Sequence, residues 1–251
     1  MADKEQVAVI IPSFHSRELT SLCIRSLQRF CPLDIDLIFI VVENSSDVSY
    51  KDNIIGLGSN IIWVNNATTA VGSEANAEAI EIGLTYVKCN LVFMCHCDIC
   101  ITSEKFLHNM VIKYHEGNRL VGTLTDTNPN RIGAIHVFGL LTDLELAKKV
   151  KYMPIYKNKV QIMDIGNELT RYCRDNKLSI YCFKNTHNNP TITESLDKKY
   201  AGFNVVRCVD DQNNVMFMHL GRGIKKMFGT YSDLSKVSLR GWLEFCNEVI
   251  K

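Results

Sequence analysis

The sequence predicts an α/β protein, a mostly parallel sheet with helices packed on its faces, and three observations carry that prediction. Short runs that are apolar throughout, rich in Val, Ile, Leu and Phe, read as strands buried on both sides. Between them lie segments whose apolar residues recur three and four apart, the period of a helix. Strand and helix alternate four times in the first part of the chain with short links, which is the pattern of parallel strands joined by crossover helices.

Residues 7–11 (VAVII) form the first strand, and Pro12 stops it. A helix follows over 17–30, with Leu19, Leu22, Cys23, Leu27 and Phe30 on one face. The second strand, 37–42 (LIFIVV), ends in the polar turn Glu43-Asn44-Ser45-Ser46-Asp47, and 61–64 is a third, shorter one. Residues 73–88 read as a helix with Ser73 as candidate N-cap and a stripe through Asn76, Ile80, Gly83, Leu84 and Val87. The fourth strand, 91–94, ends in Cys95-His96-Cys97-Asp98.

Further along, a helix is expected over 103–115, a strand over 119–124, a turn-rich loop over 125–133 and a strand over 135–141. A short helix is expected over 143–150, and 151–160 is read as irregular and basic. Asp164 is expected to cap a helix running to about residue 176. A strand spans 179–183, and 184–197 is too polar to be core. The last strand, 215–218, closes on His219-Leu220-Gly221-Arg222-Gly223, and 233–250 is an amphipathic terminal helix. No internal repeat or low-complexity linker divides the chain, and 251 residues suffice for one large domain.

With 46% hydrophobic and 22% charged residues the composition is that of an ordinary soluble protein. No apolar run approaches the roughly 18 residues of a spanning helix. The opening MADKEQ leads into a strand without a basic region and long apolar run, so no signal peptide is expected. Ten cysteines in that setting predict reduced thiols and a cytoplasmic protein. Cys23, Cys173 and Cys246 fall on apolar helix faces, as small hydrophobes do. Residues 1–125 carry nine Lys/Arg against 14 Asp/Glu, a net of −5, while the remainder carries 19 against 13, a net of +6. The basic second half would suit an anionic ligand or acceptor, although a solvated surface has the same composition.

Asp98 marks the expected active site. In open α/β sheets ligands bind just beyond the carboxyl ends of strands. A carboxylate beside so apolar a run also needs compensation, which a bound cation supplies; the plainer reading is a capping or turn residue. The first strand is not followed by G-x-G-x-x-G, and G-x-x-x-x-G-K-[ST] is absent, which argues against a dinucleotide site and a P-loop.

VAVIIPSFHSRELTSLCIRSL followed by IFIVVENSSD resembles the opening of family 2 glycosyltransferases of the GT-A fold. NNATTAVGSEANAEAIEIGL is similar to the family's Gly/Ala/Asn segment before the metal site, and CHCD stands where the family has D-x-D. Met163-Asp164 matches its E-D pair more loosely. The likeness covers about the first 100 residues well. It departs at Glu43, where Asp is usual, and at His96, which replaces the first Asp of D-x-D and removes one negative charge.

The resemblance implies a single GT-A-like domain with a nucleotide-binding half, 1–102, and an acceptor-side half, 103–251. It implies a metal-dependent, inverting, hexosyltransferase-like enzyme. The donor would be a nucleotide-diphosphate sugar, a UDP-sugar by preference, with Mn²⁺ or Mg²⁺ stabilising the departing diphosphate. Asp98 would be the main metal ligand, His219 the second, and His96 would ligate metal or bond a ribose hydroxyl. Pro12, Ser13, Phe14 and Glu43 would line the nucleotide site, with Gly72 and Asn76 at the base edge. Asp164 would be the base for the acceptor hydroxyl, with Glu168 on the same helical face as fallback. Arg222 and Lys225, with Lys226, would meet the diphosphate or an anionic acceptor. The acceptor stays open among glycans, lipid carriers, proteins, small molecules and hydroxylated DNA bases, the absence of a membrane helix and of an amphipathic basic anchor weighing against lipids.

Other readings use the same residues. A zinc site at Cys95, His96, Cys97 and Cys100 has suitable ligands, but on a continuing strand residues 95 and 97 face away from 96. A Cys97–Cys100 dithiol suffers from Asp98 between the thiols, which disfavours thiolate. A sugar nucleotidyltransferase shares the sheet but needs a Gly-rich basic loop where IPSFHSRE stands. A non-catalytic nucleotide-sugar or nucleic-acid binding module is the remaining alternative.

Overall fold

The computed structural model describes residues 4–124, 132–186, 189, 191–192, 205–230 and 237–251. Its first half alternates as expected: β1 (Glu5–Ser13), α1 (Arg17–Arg29), β2 (Ile35–Glu43), the short α2 (Lys51–Ile55), β3 (Ile61–Asn65), α3 (Ser73–Tyr86) and β4 (Leu91–Cys95). Then come β5 (Ile99–Ile101), α4 (Lys105–His115), β6 (Leu120–Leu124), β7 (Ile135–Asp143) and α5 (Leu144–Ala147). The remainder holds β8 (Ile155–Lys157), β9 (Val160–Met163), α6 (Asn167–Asp175), β10 (Ile180–Asn185), β11 (Val206–Val209), β12 (Val215–His219), α7 (Gly223–Met227) and α8 (Leu239–Ile250).

Among the described residues, ten strands join in the order β3-β2-β1-β4-β7-β6-β10-β11-β12-β5, and β8 pairs with β9 alone. The strands β3, β2, β1 and β4 are parallel, so their carboxyl ends share one edge. Ser13 lies opposite Glu43, and Glu43 opposite Asn65. β7 runs antiparallel to β4 with Gly139 opposite Cys95, which carries residues 135–138 past the end of β4. β12 runs antiparallel to β5 with His219 opposite Ile99. Three separate segments therefore meet beyond β4.

Burial on both sides makes β1 continuous apolar sequence. Val7, Val9 and Ile11 join one core with Leu19 and Leu27 of α1 and Trp242 of α8, while Ala8 and Ile10 join the other with Ile80 and Leu84 of α3. Gly83 is required by that packing, because a Cβ there would lie 2.7 Å from the Ile10 side chain.

Several expectations change. Gly72, at φ 60°, is the N-cap of α3, and Ser73 begins the helix without capping it. Asp164 does not cap α6; Gly166 does, at φ 74°. The stretch read as irregular, 151–160, contains β8 and the start of β9, a hairpin turning at Asn158 and Lys159 with φ of 51° and 65°. β5, β11, α2 and α7 were not expected. Each has three to five residues, too few to show a period. The loop at 125–133 and the polar stretch 184–197 lie largely outside the described residues, as do residues 233–236 of the terminal helix.

Candidate active site

The chain leaves β4 at Cys95 and enters β5 at Ile99, so residues 96–98 form the bend between two strands that pair with different partners. Asp98 is buried there. Its Oδ2 accepts from Gly223 N at 3.0 Å, and its main-chain oxygen accepts from Leu220 N at 3.0 Å. Its Oδ1 lies 3.2 Å from His219 Nε2 and 4.0 Å from His96 Nδ1, and these two nitrogens are 3.4 Å apart. Among the described residues, His96, Asp98 and His219 are the group whose side chains could hold a metal ion together.

The electrostatics follow from burial and this proximity. Burial by itself would raise the Asp98 pKa, but His219 above all, with His96 and the Gly223 N–H, holds it well below the usual carboxylate range. Burial pushes His96 down to about 4, and His219 adds to the shift against the opposing pull of Asp98 and Asp164. His96 is therefore neutral at pH 7, as a ligating imidazole must be.

The donor set fits a first-row divalent ion. Bonds of about 2.1 Å at tetrahedral or right angles separate ligand atoms by about 3.0–3.4 Å; the His219–Asp98 and His96–His219 separations, 3.2 and 3.4 Å, fall in that range, and His96–Asp98, at 4.0 Å, is wider. Two imidazole nitrogens and a carboxylate oxygen face one another. The other nitrogen, His96 Nε2, is buried with no hydrogen-bond partner among the described residues, an arrangement poorly satisfied for a purely structural histidine.

Rings hold the imidazoles in place. Phe138 stacks on His219 at 4.4 Å and 16°, and His136 meets His96 edge-on at 5.3 Å. Both come from the overhanging start of β7. Gly223 is a further requirement: a Cβ there would lie 2.7 Å from both Asp98 Cβ and Oδ2. These three positions were not singled out from sequence, because only the register of β7 brings two of them to the imidazoles and only the turn after β12 brings the third to Asp98. The Gly-Arg-Gly turn after the last strand was the one local signal.

The nucleotide-site residues divide. Phe14 is exposed, with its ring 6.3 Å from that of Phe228. Pro12 is buried, and so is Ser13, whose hydroxyl lies 3.0–3.1 Å from those of Ser16, Thr20 and Tyr50. Glu43 is 0% exposed. Its Oε1 accepts from His15 N and Ser45 N, each at 3.0 Å, and its Oε2 from Tyr50 OH. The structure thus gives the Ser13 hydroxyl and the Glu43 carboxylate the task of tying two loops together, and neither side chain is open to a base or ribose. Gly72 and Asn76 stand at the start of α3, Gly72 exposed and Asn76 half-buried.

Asp164 is half-buried beside this group. Its Oδ1 accepts from Ser73 Oγ, Gln161 Nε2 and Ile165 N, all at 2.9 Å. Glu168 instead pairs with Arg171 and lines a separate cleft with Lys149, Lys151 and Tyr172. Arg222, at φ 59°, and Lys225 are exposed in and after the turn that presents Gly223. Among the described residues the cysteines do not assemble a metal site: Cys97 Sγ accepts from Ser16 Oγ, and burial first of all pushes its thiol up. All ten cysteines are free.

Comparison with solved structures places this architecture. The mannosyltransferase PcManGT from Pyrobaculum calidifontis, in complex with GDP-Man and Mn²⁺, superposes with a TM-score of 0.55 at 13% identity, covering 72% of this chain and 55% of that one. The chain shares the fold of that mannosyltransferase. It is the GT-A type that the opening motifs resemble. TarS 1-349 of S. aureus gives a TM-score of 0.46 at 13% identity over 62% of this chain and 52% of that one. A mycobacterial protein gives 0.48 at 15% over 72% and 66%. The chain thus spans little more than half the length of the first two. By sequence, no protein-family model and no curated protein matches.

Proposed function

We propose that the protein is an inverting glycosyltransferase that uses a nucleotide-diphosphate sugar, with a divalent cation held by His96, Asp98 and His219. The convergence of these three side chains at the carboxyl edge of the parallel strands carries the reading. The mannosyltransferase of like fold, bound to GDP-Man and Mn²⁺, supports the pairing of such a fold with both ligands.

When bound, the cation supplies positive charge against the diphosphate as it departs. The two imidazoles favour Mn²⁺ over Mg²⁺, which prefers oxygen ligands. Gly223 N orients Asp98 through Oδ2, and Phe138 keeps the His219 ring in plane. Arg222 and Lys225, exposed in and after the turn that presents Gly223, meet the phosphates. Phe14 offers a flat apolar surface to the base at the end of β1, with Gly72 and Asn76 on the α3 side. Asp164 takes the proton of the acceptor hydroxyl, and Ser73 and Gln161 aim its carboxylate. The base specificity is read as UDP first and GDP second.

Calorimetric titration of Mn²⁺ and Mg²⁺ in the presence of UDP or GDP, followed by donor hydrolysis with a panel of nucleotide sugars, tests the proposal. Mn²⁺-dependent nucleotide binding and slow hydrolysis of one donor are expected. Absence of any cation-dependent nucleotide binding would refute it.

A further inference from the structure

We infer that the β8–β9 hairpin is a membrane-surface anchor that docks the protein on an anionic lipid bilayer. The inference rests on exposure, charge and register, and it stands independently of the transferase reading.

The hairpin is built to project. β8 and β9 pair with each other and, among the described residues, with no strand of the main sheet. Tyr156 lies opposite Gln161 and Lys157 opposite Val160, so Tyr156 and Val160 occupy opposite faces. Both are nevertheless exposed, at 49% and 64%. Each face of the hairpin therefore presents an open side chain near the tip, while Gln161 beside Tyr156 is half-buried and bonded to Asp164. The turn at Asn158 and Lys159 uses two residues of positive φ, the tight form that keeps such a hairpin straight and narrow.

Its charge is one-sided. Between Glu145 and Asp164 there are five lysines and no acidic residue. Lys149 and Lys151 pair with Glu145 and Glu81. Lys148, Lys157 and Lys159 are exposed and have no acidic partner among the described residues.

That combination selects the partner. Lysine is a flexible point charge suited to a diffuse anionic surface, whereas phosphate recognition in nucleic acids favours the planar fork of arginine, and no arginine lies in this stretch. A tyrosine and an aliphatic residue at the tip, ringed by lysines, match the water–lipid boundary, where a tyrosine keeps its hydroxyl wet while its ring is buried. The sequence showed no amphipathic helix for this purpose; the hairpin supplies the same chemistry with strands. Because β9 runs directly into Asp164, docking would hold the acceptor side of the candidate site against the bilayer.

The test is flotation of the full chain with vesicles of phosphatidylcholine alone or mixed equally with phosphatidylglycerol. Binding to the mixed vesicles only, weakening with salt, is expected. Lys157→Glu with Lys159→Glu should lower the partition coefficient by more than about tenfold with melting temperature unchanged, since both side chains are exposed. Tyr156→Trp should show blue-shifted emission on the mixed vesicles that the native protein does not, because Trp242 is buried and Trp63 packs against the core. Failure to bind, equal binding to neutral vesicles, binding indifferent to the charge reversals, or absence of a blue shift in the Tyr156→Trp variant would each overturn the inference. Preference for a labelled single-stranded oligonucleotide over the mixed vesicles, lost on charge reversal, would overturn it in favour of nucleic acid.

Discussion

Two carboxylates stand at the carboxyl edge of the same parallel strands, and both are buried, yet their surroundings differ in kind. Glu43 ends β2 and is bonded by a tyrosine hydroxyl and two main-chain N–H groups. Asp98 follows β4 and is met by one main-chain N–H and two imidazoles. Neutral donors close the first corner permanently, because nothing there can be displaced without leaving a buried group unpaired. Imidazoles leave the second corner open to exchange, because a cation can take the place of a proton among the same three atoms. The comparison teaches that burial of a charge does not identify a site; the chemistry of what compensates it does.

The largest effect should separate the corners most sharply. Asp98→Asn preserves shape and can still accept from Gly223 N. It should lower transfer by about 10³-fold or more, roughly 4 kcal/mol, and abolish Mn²⁺ binding, with a melting temperature close to that of the native protein. Glu43→Ala should do the reverse. Three donors lose their acceptor, at a cost of about 3 kcal/mol in urea-unfolding stability, while Mn²⁺ affinity persists. If Glu43→Ala instead stays stable and loses nucleotide binding, the corner belongs to the donor site and the contrast fails.

Asp164→Asn sharpens the comparison on the acceptor side. Transfer should fall by about 10²-fold, the scale of a lost general base, with nucleoside diphosphate affinity unchanged. Unchanged transfer would return the role to Glu168, despite its ion pair with Arg171. A smaller change is expected of Gly223→Ala, whose methyl group presses on Asp98; Mn²⁺ affinity should weaken about tenfold, as when a ligand's orienting partner is disturbed.

The smallest effect concerns a third buried carboxylate, Asp143, at the opposite edge of the sheet, where it lies across from Leu91. Burial alone would raise its pKa, but Arg119 and the Leu146 N–H hold it below the ordinary value. A depressed folded pKa means stabilisation that is present above the unfolded value, about 3.9, and lost as pH falls through the folded one. Arg119 is 38% exposed, so the contribution is under about 1 kcal/mol. Asp143→Asn should flatten the acid limb of a stability–pH curve by that amount; a steeper limb would count against the pairing.

Legibility in the sequence followed the length of each element. β1, β2 and β4 were visible because parallel strands buried on both faces are apolar without interruption, and α1 because its apolar face repeats over more than three turns. The three residues of β5 carry no such pattern, although that strand is what bends the chain at Asp98. The hairpin 155–163 was hidden for the same reason: its strands have three and four residues, too few for an alternation to stand out, and only its tip is exposed on both faces.

By itself, then, the sequence determined the α/β sheet and the place of Asp98, because local hydrophobic pattern decides which strands are buried and where they end. Only the tertiary structure decided that His219 reaches Asp98 with Phe138 stacked on its ring, that Glu43 turns inward to Tyr50, and that Glu168 turns to Arg171. Each of these depends on strand register or loop path between segments far apart in the chain. A shift of one residue in the pairing of β12 with β5 would point His219 to the other face of the sheet, and nothing in the neighbouring residues records that choice.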